Sequence, residues 1–356
     1  MKHLRNLLLI SVPALTLTLL CMEAILRLGG YHPYYLDGKA FIPSKNTEII
    51  WELRPGFHGL FAAVQIAINS QGFRGTELAQ WDSASRFRVL VLGDSVAFGQ
   101  GVPEGATLAE AVVARLEKNV GSHGEAVNLG IPGYDTCQEY WTFKERGIPL
   151  KPNVVLLIYV ENDTDPPVYQ VIGDTIVSPD VRTGVFGSLM AAARKHFYVY
   201  NFVWTRFQLL KQPRLSIAGY HDVLMQKFND RNVGWKRSKG CLSDITALAR
   251  ANSIRLIVVP NPVLSGRGVA ENPYPFADYI ETVCGAVWAD GAECLDVVPL
   301  LRKPGLRLRV SKLDPHPSAE VFMRIAGRVA SILKEPPPLQ TAMSPSGPSD
   351  LKPQRD

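Results

Sequence analysis

Phe87-Arg88-Val89-Leu90-Val91-Leu92-Gly93-Asp94-Ser95 decides how this chain is read. Its first six residues form a short apolar run rich in branched side chains, the pattern of a buried strand. Beyond Pro103 an amphipathic pattern predicts a helix over about 104–119. A serine on a glycine-bounded turn between strand and helix stands at the carboxyl edge of a parallel sheet. Ligands of open α/β sheets bind at that edge, and the amide-rich start of a helix favours negative charge there. Alone, Gly-Asp-Ser is a turn in which Asp94 caps the next helix. Other parts of the chain have to give it a chemical meaning.

Outward from this stretch, strand alternates with helix. Strands are expected at 87–92, 126–128, 154–159 and 254–259, and a last helix at about 317–333 carries Val321, Ile325, Val329 and Ile332 at helical spacing. Short apolar runs separated by helical stretches argue for a parallel sheet covered on both faces, a three-layer α/β/α domain over 86–334. Residues 165–238 interrupt that order. Within them 168–178 reads as a hairpin turning at Gly173-Asp174. Residues of about 186–211 read as one long aromatic-rich helical pattern, either an accessory helix on the sheet or near a membrane, or a lid over substrate. Before the alternation, 29–85 reads as a small β-rich preface with strand character at 49–53 and 63–68. The tail, 335–356, is rich in Pro and Ser and cannot bury a core, so it is expected to be disordered.

At 356 residues, with 46% apolar and 20% charged residues, the chain has material for one large domain plus additions. The net charge of +5 is mild, and its basic residues are not clustered with aromatics, so nucleic-acid binding has no support. Residues 6–28 are almost wholly apolar and long enough to span a bilayer, with Lys2 and Arg5 ahead of them. They read as a membrane anchor within 1–28, the body lying outside the cytoplasm in a bacterial periplasm or at the cell surface. The alternative is secretion after cleavage of a signal peptide. In an oxidising space Cys137, Cys241, Cys284 and Cys294 permit up to two disulfides, whose pairing the sequence does not give. No Cys-x-x-Cys spacing or Cys/His cluster suggests a metal site, and no cofactor is expected.

A serine hydroxyl becomes a nucleophile only when a base takes its proton and donors hold the oxyanion that develops. Candidates for each role stand at strand ends. His316, in Leu313-Asp314-Pro315-His316-Pro317, lies just before the last helix with a carboxylate two residues upstream that can fix its tautomer. Asn128-Leu129-Gly130-Ile131-Pro132-Gly133-Tyr134-Asp135-Thr136 follows a strand, and its glycines let a backbone N–H approach a ligand. Glu161-Asn162-Asp163 follows the next strand, where the Asn162 amide can donate. Each of these, by itself, is also ordinary turn chemistry.

Together and in this order the four blocks resemble those of the SGNH (GDSL-type) hydrolase family, whose domain is a flavodoxin-like parallel sheet. The resemblance covers roughly residues 86–333. Residues 23–28 and Asn69-Ser70-Gln71-Gly72-Phe73-Arg74-Gly75 are similar, in addition, to membrane-anchored bacterial members. It implies a catalytic triad of Ser95, His316 and Asp314, and an oxyanion hole made by the N–H groups of Ser95 and Gly133 with the Asn162 amide. Two departures stand out. Val160 and Glu161 precede Asn162 where a glycine is usual, which puts a carboxylate beside the oxyanion site. The last block reads Asp-x-His, a spacing found in related acetyl-transfer enzymes of exopolysaccharide modification.

The resemblance implies a serine esterase acting on an acylated small molecule or glycan, held to the membrane through its amino-terminal helix. Two alternatives are carried with it: an O-acetyltransferase of exported polysaccharide, and a non-catalytic binding protein on the same fold. Nothing in the sequence identifies protein partners.

Overall fold

The structure is a computed structural model, and it describes residues 2–79, 86–120, 123–167, 170–172, 175–177, 185–211, 216–264, 268–312 and 314–333. The turn expected at Gly173-Asp174 and the tail lie outside the described residues. The chain divides into two compact units. The larger is formed from described residues of 38–59, 65–179 and 215–356, the smaller from those of 1–37, 60–64 and 180–214.

In the larger unit, β1 (Phe41–Pro43) and β2 (Trp51–Leu53) pair antiparallel. Two further short strands, β3 (His58–Phe61) and β4 (Val64–Ala67), complete the preface strands. The centre is a parallel sheet of β5 (Arg86–Gly93), β6 (His123–Gly130), β7 (Val154–Tyr159), β10 (Arg255–Pro260) and β11 (Glu293–Cys294), in the order β11-β10-β7-β5-β6. Every residue of β7 is buried, as a strand covered on both faces requires. Two short strands that follow β7 in the chain, β8 (Gln170–Ile172) and β9 (Thr175–Val177), pair antiparallel in a sheet of their own.

Sheet order sets where the helices lie. From β5 the chain steps outward to β6 and then returns past β5 to β7, β10 and β11. Right-handed crossovers in opposite directions put their helices on opposite faces. Thus α3 (Leu108–Val120) packs on β5 and β6 together with α11 (Ala319–Ile332). On the other face lie α4 (Thr136–Thr142), α8 (Val233–Ala251) and α9 (Ala277–Ala289). The short α10 (Val298–Leu301) touches α11. The reversal of direction falls at the carboxyl end of β5, the switch point at which open α/β sheets bind ligands. One short helix, α2 (Ser95–Phe98), starts there.

The strands expected at 87–92, 126–128, 154–159 and 254–259 are β5, β6, β7 and β10, with small shifts, and β11 is an additional strand that the pattern did not announce. The strand expected at 126–128 is longer, because its outer half pairs with β5 through residues that are only partly apolar. The helix expected from 104 begins at Leu108 instead. Gly105 is left-handed (φ +81), and the Thr107 hydroxyl and N–H both donate to Glu110, forming a turn ahead of the helix. In place of the long pattern at 186–211 there are two helices, α5 (Val185–His196) and α6 (Tyr198–Lys211). They belong to the smaller unit, whose first element is α1 (Lys2–Leu28). The Glu23 carboxylate of α1 accepts the Tyr198 and Val199 N–H groups at 3.1 and 2.9 Å, so the break is capped from 175 residues away. Asn201, fully buried, accepts from the Tyr31 hydroxyl and donates to the Tyr34 carbonyl. Residues Leu9–Leu28 of α1 are long and apolar enough to cross a membrane, with mean hydropathy 2.0 and none of the span buried. In chain order α7 (Ile217–Lys227) and α8 come next, before β10, and position 238, where the interruption is expected to end, falls inside α8. Two disulfides form, Cys137–Cys241 between α4 and α8, and Cys284–Cys294 between α9 and β11.

Candidate active site

Ser95 opens α2 directly after the Gly93-Asp94 turn. Gly93 has φ +148, and a Cβ there would lie 2.7 Å from Ala97 Cβ and 2.8 Å from the Ile158 carbonyl oxygen, so only glycine allows the turn. Asp94 caps the helix as expected, accepting the Val96 N–H at 2.8 Å. The carboxyl end of α2 is held from the preface. Arg74, buried, donates to the carbonyls of Phe98 (2.9 Å) and Gly99 (2.7 Å), and to Glu104 at 3.1 Å. These bonds satisfy carbonyls that a four-residue helix leaves open.

The last block reaches Ser95 across 221 positions of sequence. His316 Nε2 stands 2.8 Å from Ser95 Oγ, and His316 Nδ1 stands 2.5 Å from Asp314 Oδ1. The loop is fixed by its own bonds. Val310 N–H donates to the His316 carbonyl at 2.9 Å, and both Asp314 N–H (to Ser311 Oγ) and His316 N–H (to Asp314 Oδ1) are bonded at 3.0 Å. With Nδ1–H given to Asp314, Nε2 keeps a lone pair for the serine proton. Ser95 Oγ has a second acceptor, Asp94 Oδ2 at 3.1 Å, but one proton; the shorter distance favours His316. Asp314 is buried, and its Oδ2 packs near Gly101, where a Cβ would come within 3.0 Å.

The other two blocks leave the neighbouring strands. Gly93 of β5 is in register with Gly130 of β6 and Ile158 of β7, so three strand ends finish side by side, at strand spacing of about 5 Å. Gly133 lies in the turn after β6, left-handed at φ +85, with Tyr134 N–H donating to the Ile131 carbonyl. Asn128 is structural: its amide donates to Phe98 O, and its oxygen accepts Gly130 N–H. Asn162 lies in the turn after β7. There Val160 N–H donates to Asp163 Oδ2 at 3.1 Å and Asp165 N–H to Asn162 O at 2.8 Å, and Asn162 is half-buried.

The site is rich in carboxylates. Burial pushes the His316 imidazole down, but the Asp314 hydrogen bond and charge, with Asp94 and Glu161 behind them, outweigh it and hold its pKa above the ordinary value. Burial raises Asp94 and Glu161, and it raises Asp163 and Glu139 far above the usual carboxylate range. Glu139 of α4 is fully buried, and neither of its oxygens has a hydrogen-bond partner among the described residues. A carboxylate in that setting is held neutral. Sequence reasoning missed Glu139 and Arg74 as parts of this site. The glycines and aspartates beside Ser95 were visible signals; a glutamate inside a short helix was not.

No family model matches the chain, and no curated protein matches it. Among solved structures the chain is similar to a lipase/acylhydrolase from Enterococcus faecalis, at 12% identity over 70% of this chain and 98% of that one, TM-score 0.40. It is also similar to a catalytic mutant of Axe2, an acetylxylan esterase from Geobacillus stearothermophilus, at 14% identity over 70% and 93%, TM-score 0.41. The chain's own five-stranded parallel sheet, in the order β11-β10-β7-β5-β6 with helices on both faces, is the three-layer α/β/α arrangement that its alternating strands and helices predict.

Proposed function

We propose that the protein is a serine esterase that works by acyl transfer to Ser95. The observation that carries this reading is the continuous chain Ser95 Oγ, His316 Nε2, His316 Nδ1, Asp314 Oδ1 at 2.8 and 2.5 Å, at the switch point of the sheet. In it, His316 takes the hydroxyl proton as Ser95 Oγ bonds to the ester carbonyl carbon. The oxyanion that forms meets the N–H groups of Ser95 and Gly133 and the Asn162 amide. On collapse the carbon–oxygen bond to the alcohol breaks, and His316 returns its proton to that oxygen. Water, deprotonated by His316, then attacks the acyl-serine, releasing the acid and restoring the hydroxyl.

The substrate class we assign is an acylated or acetylated small molecule or glycan outside the cytoplasm. The apolar α1 and the two disulfides support that location, since disulfides persist in oxidising compartments. A second reading, transfer of the acyl group to a sugar hydroxyl, is favoured by the two-residue spacing of Asp314 and His316. Adding a glycan acceptor to the hydrolysis assay separates them: competition between acceptor and water marks a transferase.

Purified protein is expected to hydrolyse 4-nitrophenyl acetate and to be labelled on Ser95 by a fluorophosphonate. Ser95→Ala should lose both, and Asn162→Ala should lower kcat about 100-fold or more, the usual loss for one oxyanion donor. Turnover by Ser95→Ala near the level of the unaltered protein would end this reading.

A further inference from the structure

Helix α7 lies in the stretch that interrupts the strand–helix alternation. It turns Tyr220, Leu224 and Lys227 to one side, spaced four and three residues apart as one helical face requires. Leu224 is buried in the core. Its two neighbours on that face are polar, and both bond to the turn after β7. Tyr220 Oη donates to Glu161 Oε1 at 3.3 Å. Lys227 Nζ donates to both carboxylate oxygens of Asp165, at 2.8 and 2.6 Å.

Glu161 and Asp165 bracket Asn162-Asp163-Thr164, so one helix holds the turn on both sides of the amide assigned to the oxyanion. A third restraint comes from α8. A Cβ at Gly234 would lie 2.0 Å from the Thr164 carbonyl oxygen, so the start of α8 rests on the same turn at glycine-only distance. The holding helix is itself rooted. His221 Nε2 lies 2.7 Å from Asp278 of α9, and the Tyr220 ring meets Phe276 edge-on with centroids 5.8 Å apart.

A donor that meets charge present only in the transition state helps most when it is fixed beforehand, and a displacement near 1 Å costs up to about 100-fold. The turn's own hydrogen bonds engage Val160, Asn162, Asp163 and Asp165 through the backbone and the Asp163 carboxylate, and leave the direction of the Asn162 side chain to the frame around them. We infer that α7 is a clamp on the oxyanion turn, with Tyr220 and Lys227 as positioning residues that act through Glu161 and Asp165 to aim Asn162. This rests on the acyl-transfer reading above and extends it to a segment that the four family blocks do not include.

The test uses the full chain in detergent, with 4-nitrophenyl acetate as probe, and measures kcat, KM and Tm for each variant. Tyr220→Phe and Lys227→Met should each lower kcat about 5- to 30-fold while KM moves less than about twofold, and Lys227→Arg should restore most of the Lys227→Met loss. The deciding measurement repeats both substitutions in an Asn162→Ala background. A clamp that works through Asn162 has nothing left to aim there, so kcat should fall by less than about twofold more. Full multiplicative losses in that background would overturn the clamp, as would unchanged kcat in folded Tyr220→Phe and Lys227→Met proteins. Should Lys227→Met not fold, Tyr220→Phe, which removes a single oxygen, decides on the same two criteria. Failure of the underlying reading looks different: there Ser95→Ala itself stays active.

Discussion

The role proposed for His316, that of a base, requires the neutral ring, and its surroundings work against neutrality. Burial lowers its pKa, but the Asp314 bond and charge, then Asp94 and Glu161, raise it by more, so protons leave it above the range of a free imidazole, about 6.5. The sign follows directly. Ester turnover should climb with pH through an inflection above that of free imidazole, not below it. Asp314→Asn removes the largest of the raising influences, so the inflection should move down while the rate falls by about a thousandfold or more, because the ring loses the partner that fixes its tautomer. A pH–rate profile of kcat/KM on both proteins checks this, and an inflection below free imidazole in the unaltered protein would contradict it. At this scale the sequence is readable where chemistry sits in a short motif. Ser95, Asp314 and His316 each stand in a turn with Gly, Asp or Pro beside them. Tyr220 and Lys227 gain their meaning from partners distant along the chain, 59 positions for Tyr220 with Glu161 and 62 for Lys227 with Asp165, Glu139 gains its own from burial, and no local pattern marks them.

Among the elements, legibility follows burial. β7 and β10 are apolar almost throughout, because both faces are covered, and a run of Val, Leu and Ile announces such a strand. β11 is two residues, Glu293 and Cys294, held by pairing with Ile257 and Val258, and has no run to read. The division of 185–211 into α5 and α6 is set by Glu23, so its cause lies outside the segment. Pairing of the cysteines is of the same kind: even number and compartment suggest bridges, and only packing chooses partners. Their energetic weights differ through loop length. Cys137–Cys241 closes 104 positions and Cys284–Cys294 closes 10, which in the chain-entropy account correspond to about 4.7 and about 3 kcal/mol. Replacing Cys137 and Cys241 together by Ala should therefore lower unfolding free energy more than replacing Cys284 and Cys294. Urea titrations of the two double variants measure the difference, and the reverse order would refute it.

For the molecule as a whole, α1 is the element that an aqueous globule does not explain. Its span Leu9–Leu28 buries nothing, while Glu23 and Arg27 at its carboxyl end bond within the smaller unit, Arg27 to the His196 carbonyl at 2.8 Å. Twenty residues of mean hydropathy 2.0 left bare in water would carry a heavy cost, and a bilayer removes it. The full chain should fractionate with membranes and need detergent for extraction. Protein lacking residues 1–28 should remain in the soluble fraction and still take the fluorophosphonate at Ser95. Recovery of the intact chain in the soluble fraction would count against the anchor.

Under the proposed export, the bridge between α4 and α8 also imposes a timetable. A chain delivered amino end first presents Cys137 to its new compartment 104 residues before Cys241 can follow. During that interval the loop bearing Gly133 precedes a helix whose covalent tether has not yet been made. Thiols on the reducing side of the membrane stay open. On that route the cross-link would close only on arrival: copies stalled in transit would lack it, and copies fully across could form it.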